Sequence, residues 1–258
     1  MDFQLSDEQQ LIRQTALEFC DAEIAPHASE WDRTETIDRG IVAKLAELGF
    51  LAAALPEEHG GLGLEMVSYT LVVEEIGRAD SNVRGIVSVS NGLYGKTIAK
   101  WGTDEQKARL LPGLAAGTEL GCYALTEPGA GSDPGGLETR AVRDGDAWVL
   151  SGQKIFITLG SWAAHALVFA RTGEAGPRGI TCFVVPTSAP DFEARPIKGK
   201  LGLRAQDTAE IFLDGVRVGD DAIVGELGGG FKVAMSASSS CTSWKLATGR
   251  PNCLRDFV

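Results

Sequence analysis

Histidine and cysteine are few in this chain and basic residues are outnumbered, and each shortage removes a class of function. The three histidines, at 27, 59 and 165, are scattered. The five cysteines, at 20, 122, 182, 241 and 253, are odd in number and form no C-x-x-C pair, so neither a disulfide framework nor a zinc site is indicated. No G-x-S-x-G elbow occurs, which with isolated histidines argues against a hydrolase triad. Lys and Arg number 24 against 35 Asp and Glu, giving a net charge of −11 and a pI near 4.8; such a balance disfavours nucleic acid or an anionic membrane as partner. The opening Met1-Asp2-Phe3-Gln4-Leu5 is followed by no basic n-region, long apolar stretch or cluster of arginines. A secretory leader and a spanning helix are therefore not expected, and a cytoplasmic location is.

What is present is the composition of a soluble globular protein. A length of 258 with 44% hydrophobic and 23% charged residues allows one or two domains with a sizeable core. To about Leu120 the pattern is helical. Ser6 with Gln9 makes a capping box ahead of Leu11, Ile12, Phe19 and Ile24, and this run ends at Pro26. Ile41, Leu45 and Leu48 mark a second helix stopped by Gly49. Apolar helical stretches follow over 65–77 and 81–100, and Thr103 with Gln106 caps a helix carrying Leu110 and Leu111. Glu57-Glu58 and Glu74-Glu75 read as solvated positions.

From Gly121 to about Val224 short alternating runs take over: 122–126, 139–143, 148–150, 155–158, 166–170, 180–185 and 209–213. Turn signals at 144–146, 151–152 and 214–215 separate them, which predicts an antiparallel barrel or sandwich. The fold class is thus α+β and multidomain: a helical domain over 1–120, a β domain over 121–231, and a helix start with an atypical tail over 232–258.

Two segments carry chemistry. Gly129-Ala130-Gly131-Ser132 follows an apolar run and a proline, so that successive backbone N–H groups can form a nest for an anion, with the Ser132 hydroxyl as a further donor. Thr126 and Thr158 each end an apolar segment, where a hydroxyl can meet the edge of a planar heterocycle. Phe156, two residues before Thr158, falls on the same side of a regular strand and could cover a ring. The residues alone leave a second reading open, a long turn over 129–136 and a core aromatic. A G-x-G-x-x-G dinucleotide loop is disfavoured, because the third glycine, Gly135, comes one place late and no helix pattern follows.

Tyr123-Ala124-Leu125-Thr126-Glu127-Pro128-Gly129-Ala130-Gly131-Ser132-Asp133 and Gly152-Gln153-Lys154-Ile155-Phe156-Ile157-Thr158 resemble the flavin signatures of the acyl-CoA dehydrogenase family. Further phrases at family spacing surround them: 55–63, 102–107, 201–204 with Asp207-Thr208, and 225–226 with Gly230-Phe231. The resemblance runs from Met1 to about Ala237. It implies FAD as cofactor, with Tyr123, Leu125, Thr126, Gly131, Ser132, Phe156 and Thr158 at flavin-contact positions; Ser132 also matches a position near the CoA portion of the substrate. Many relatives carry Trp where Phe156 stands. The implied reaction is α,β-dehydrogenation of an acyl thioester, on CoA or an acyl carrier protein, with the β-hydrogen leaving as hydride to flavin N5 and electrons passing to an electron-transfer flavoprotein or another acceptor. A homo-oligomer is implied for the full-length family form. Arg84 and Ser88, four apart on one helical face, resemble the pair that meets the distal carboxylate in glutaryl-CoA-type members; the residues alone also allow an Arg84 paired with Asp80 or Glu75.

The resemblance also places the family's catalytic Glu in a carboxy-terminal helical domain, so no catalytic residue is assigned here. Glu127 is expected to hold the flavin loop through backbone hydrogen bonds. After Ala237 the character changes: residues 1–235 carry 34 acids and 21 bases, whereas residues 236–258 carry one acid and three bases, with five serines and two of the cysteines. A foreign or frameshifted terminus is the expectation, and with it an impaired enzyme or, as the alternative, a non-catalytic remnant that binds flavin or a subunit without turnover.

Overall fold

The computed structural model describes residues 4–241. Helix α1 (Asp7–Glu23) starts at the predicted capping box, with Ser6 Oγ accepting from Gln9 N–H and the Gln9 side chain accepting from Ser6 N–H. It ends before Pro26, which instead occupies the first turn of an additional helix, α2 (Ala25–Thr34). A proline there loses no helical hydrogen bond, so the predicted stop is also a start. Helix α3 (Gly40–Glu47) buries Ile41, Val42 and Leu45 and hands over to Gly49 at φ 69°. Helix α4 (Met66–Ala79) lies along α1.

Glu75 corrects one expectation. It is 2% exposed, not solvated, and its oxygens accept from Arg13 Nε and Arg78 Nε, both at 2.8 Å, while Glu74 stays exposed. The long helix expected over 81–100 is three pieces: α5 (Ser81–Ser88), a π-helical turn over Val89–Gly95, and α6 (Lys96–Trp101). Asn91 accounts for the interruption. Its buried side chain accepts from Ala54 N–H and donates to Phe50 and Val87 carbonyls, a polar anchor that a regular helix would have to relinquish. Helix α7 (Asp104–Ala115) carries the second capping box, and its Gln106 reaches across to the carbonyls of Asp221 and Ile223.

The strands form one eight-stranded sheet in the order β6-β7-β3-β2-β4-β5-β8, with β1 (Gly121–Ala124) parallel to β4 (His165–Arg171). Two antiparallel blocks are paired through Arg140↔Arg171: β2 (Arg140–Asp144), β3 (Ala147–Thr158), β7 (Thr208–Val218) and β6 (Phe192–Pro196) on one side, and β4, β5 (Ile180–Pro186) and β8 (Ile223–Val224) on the other. β3 merges the two strands expected at 148–150 and 155–158. Ser151-Gly152 and Asp214-Gly215 are not turns but the two sides of a register shift between β3 and β7; Gly152, at φ 153°, leaves no room for a Cβ, which would lie 2.5 Å from Thr139 Oγ1. β6 was not foreseen, its Glu-Ala-Arg-Pro run lacking the alternation of a half-buried strand.

Helix α8 (Gly230–Cys241) packs on β5 and the π turn, and Trp101 Nε1 donates to Ser236 Oγ at 2.7 Å. The helix continues four residues beyond Ala237, where a change of character was expected; residues 242–258 lie outside the described residues. Among the described residues no helix is long and apolar enough to cross a membrane.

Candidate functional site

The site is built where β1 runs out. Tyr123, Leu125 and Thr126 are half-buried, and Glu127 closes a tight loop by exchanging backbone bonds with Ala130, N–H to O at 3.0 and 3.1 Å. Under this loop lies Lys154 of β3, 0% exposed. Its ammonium donates to Glu127 Oε1 at 2.7 Å, to the Phe169 carbonyl at 2.6 Å and to the Leu125 carbonyl at 3.2 Å. All three donors are thereby matched, which a buried lysine requires. Glu127 Oε2 accepts from Glu138 N–H at 2.6 Å, and Oε1, beside the ammonium, also accepts from Thr139 N–H at 3.0 Å. One buried ion pair thus ties β3, β4, the end of β1 and the segment entering β2 together, and Glu127 has the structural part expected of it. Burial lowers the Lys154 ammonium to about 8 against the pull of Glu127. Burial raises the Glu127 carboxyl, but Lys154 and the Glu138 amide outweigh it and hold it below its ordinary value.

Above this foundation the loop is open. Gly131 and Ser132 are exposed, and among the described residues nothing accepts from their backbone N–H groups or pairs with the Ser132 and Thr126 hydroxyls. A Cβ at Gly129 would meet nothing within 4 Å, and at Gly131 only Thr126 Cγ2 at 3.9 Å. Asp133 caps the next turn by accepting from Gly135 N–H. The Tyr123 ring meets Phe169 at 4.9 Å with the planes tilted by 51°, and its hydroxyl is buried without a described partner; burial raises this phenol well above its ordinary value, so it stays neutral.

Phe156 is 64% exposed and sits at φ 60°, where the β3–β7 register shifts between Lys154 and Ile157. The two-residue alternation invoked for Phe156 and Thr158 is therefore interrupted. A non-glycine residue in this region stores about 1–3 kcal/mol of backbone strain, a feature that clusters at ligand sites. Thr158 Oγ1 accepts from Gln206 Nε2 at 3.2 Å, and Gln206 N–H donates to Asn82 Oδ1 at 3.1 Å, joining the strand end to α5. The same helix carries Arg84 and Ser88, both half-buried. Arg84 pairs with neither Asp80 nor Glu75: its Nη1 donates to Ser88 Oγ at 3.3 Å, and no described carboxylate lies within ion-pair distance.

Lys154 and Gln206, which the structure places at this site, are not among the positions expected from the sequence. The one signal for Lys154 was a charge inside an apolar strand pattern. Gln206 stands between two quoted phrases and has no local pattern of its own.

Residues 6–118 match the family profile Acyl-CoA dehydrogenase, N-terminal domain, and residues 122–216 match Acyl-CoA dehydrogenase, middle domain. This chain belongs to the acyl-CoA dehydrogenase family. The chain is similar to the mitochondrial short-chain specific acyl-CoA dehydrogenase of Bos taurus, at 41% identity over 234 residues, covering 90% of this chain and 57% of the relative. Among solved structures it is similar to butyryl-CoA dehydrogenase from Megasphaera elsdenii, with 36% identity, TM-score 0.89, and 93% of this chain and 64% of that one covered. A glutaryl-CoA dehydrogenase from Mycobacterium smegmatis in complex with FADH2 gives 38% identity, TM-score 0.87, and 92% and 60% coverage. This acyl-CoA dehydrogenase family chain thus spans about three-fifths of the length of the relatives it matches.

Proposed function

We propose that this chain holds FAD and an acyl thioester for α,β-dehydrogenation. The observation that carries the reading is the open loop at Gly131 and Ser132, with unengaged amides, fixed by the buried Lys154–Glu127 pair and followed along β3 by an exposed, strained Phe156. The donor set fits the cofactor: two free amides and a hydroxyl suit an anionic tail, while the aromatic face of Phe156 and the hydroxyls of Thr126 and Thr158 suit a planar heterocycle. Tyr123 and Leu125 line the same strand end, and the orphaned Tyr123 hydroxyl is a buried polar atom in want of a partner. When bound, FAD supplies a hydride acceptor.

Ser132 stands where it can also meet the CoA portion of the thioester. Removing the α-proton needs a positioned base, and Glu127 is not free to act, since both its oxygens are engaged by Lys154 and two amides. The family resemblance implies that the base comes from a carboxy-terminal helical domain. Assayed alone, the 258-residue chain is expected to turn over more slowly than a family enzyme with its base, by roughly 10²- to 10⁴-fold. An electron-transfer flavoprotein would take the electrons, and a second copy of the chain would complete the assembly. The unpaired guanidinium of Arg84 favours a second reading of the acyl group, one bearing a distal carboxylate, with Ser88 beside it.

The test is titration of FAD into the full chain, followed by quenching of flavin fluorescence, and then anaerobic mixing with butyryl-CoA and glutaryl-CoA. Saturable quenching and bleaching of the bound flavin are the expected results. Binding without bleaching would favour the non-catalytic alternative, and no binding would refute the flavin reading. Arg84→Gln should weaken glutaryl-CoA more than butyryl-CoA; equal effects would remove the carboxylate reading.

A further inference from the structure

The hydrogen-bond relay that ends at Thr158 contains a residue with no assigned role. Thr158 Oγ1 can accept two hydrogen bonds and donate one. Its one described partner is Gln206 Nε2, a donor, so the hydroxyl hydrogen is left over for whatever faces Thr158.

We propose that Gln206 is a positioning residue that fixes Thr158 as a hydrogen-bond donor toward the bound flavin. This rests on the reading that Thr158 meets the cofactor. Gln206 is 8% exposed, its N–H is held by Asn82 Oδ1 and its carbonyl by Lys200 Nζ at 3.0 Å, and its side-chain oxygen lies against helix α5 at Gly85, where a Cβ would lie 2.0 Å from Oε1. With Oε1 seated on Gly85, Nε2 points to Thr158 Oγ1, and the amide presents a donor rather than an acceptor. A lone threonine hydroxyl could turn either way. One whose oxygen already accepts from a fixed amide keeps its hydrogen for the ligand, without reorientation on binding. The helical part of the molecule, through Asn82 and Gly85, thereby sets the polarity of a group on the sheet.

The experiment is an FAD titration, read as fluorescence quenching, of the full chain and four variants: Thr158→Val, Gln206→Glu, Gln206→Met and the double Gln206→Glu/Thr158→Val. Circular dichroism melts confirm that each folds. A carboxylate at 206 has the shape of the amide but only accepts, so it captures the Thr158 hydrogen. Gln206→Glu is therefore expected to weaken FAD about tenfold, as much as Thr158→Val, and the double variant should be no weaker than Thr158→Val alone. Gln206→Met, which only frees the hydroxyl to rotate, should lose less than Gln206→Glu. A merely structural role would give additive losses and would spare the isosteric Glu relative to Met. If Thr158→Val weakens FAD while Gln206→Glu does not, or the two add, the positioning role is overturned and the flavin reading stands. If the wild-type chain shows no quenching, or Thr158→Val binds as wild type, the Thr158 reading itself falls and takes the proposal with it. Should Gln206→Glu fail to fold, the Met variant decides: a loss that persists undiminished in the Thr158→Val background overturns the proposal.

Discussion

Lys154 concentrates the physics of the site in one side chain. The folded protein releases its proton near pH 8, whereas the unfolded chain releases it near the ordinary lysine value of about 10.4. Between those values the unfolded state binds more protons, so this group makes unfolding harder as pH rises. Urea denaturation at pH 7, 8, 9 and 10 should show wild type gaining on Lys154→Met across that window, by up to about 3 kcal/mol. A constant difference would mean that the lysine is not held in the unusual environment described. Removing only the acid leaves the ammonium buried without its counter-charge: Glu127→Ala is expected to lose about 3–5 kcal/mol in urea denaturation and, in an FAD titration, its fluorescence quenching. The sequence shows a lysine inside an apolar strand pattern but not that it is buried, because the compensating groups, Glu127 and the Leu125 and Phe169 carbonyls, lie 15 to 29 residues away.

Helix α5 and the π turn after it show how an element is decided by what it touches. By propensity alone Gly85→Ala should strengthen α5 by roughly 1 kcal/mol. The structure reverses that sign, because the new Cβ would lie 2.0 Å from Gln206 Oε1 and displace a buried amide; a lowered melting temperature is the expected outcome, by thermal denaturation. In the π turn, Asn91→Leu would strand the Ala54 amide and two carbonyls. A loss of about 2–4 kcal/mol is expected, read from the denaturation midpoint. Capping boxes at Ser6 and Thr103 were legible because their partners are three residues apart. The break at 89–95, the merged β3 and the unforeseen β6 were not, because each is stabilised by residues distant in sequence: Phe50 and Ala54 for the π turn, β7 for β3 and β6.

At the scale of the whole molecule, helical and sheet parts are joined by buried contacts that neither part makes alone. Gln106 bonds the Asp221 and Ile223 carbonyls, Asn82 holds Gln206, and Tyr94 packs so closely on the start of β1 that a Cβ at Gly121 would lie 2.3 Å from its ring. Unfolding followed by far-ultraviolet circular dichroism and by fluorescence of Trp31 in α2 and Trp148 in β3 should therefore trace one transition; separated midpoints would show two independent units. FAD at about 100 times its Kd should stabilise that single transition by about 2.7 kcal/mol.

The sequence by itself determined the family, the helix-then-sheet order and the identity of the loop that carries Gly131 and Ser132, since these are written in spacings of two to four residues and in short ordered motifs. Tertiary structure alone decided that Glu75 and Lys154 are buried ions, that Arg84 has no carboxylate partner among the described residues, that Phe156 stands strained and exposed, and that Gln206 is turned toward Thr158. The reason is physical. A local pattern fixes which face of an element is apolar, but the fate of a charge or an amide depends on whether partners from remote parts of the chain arrive to replace the water it loses.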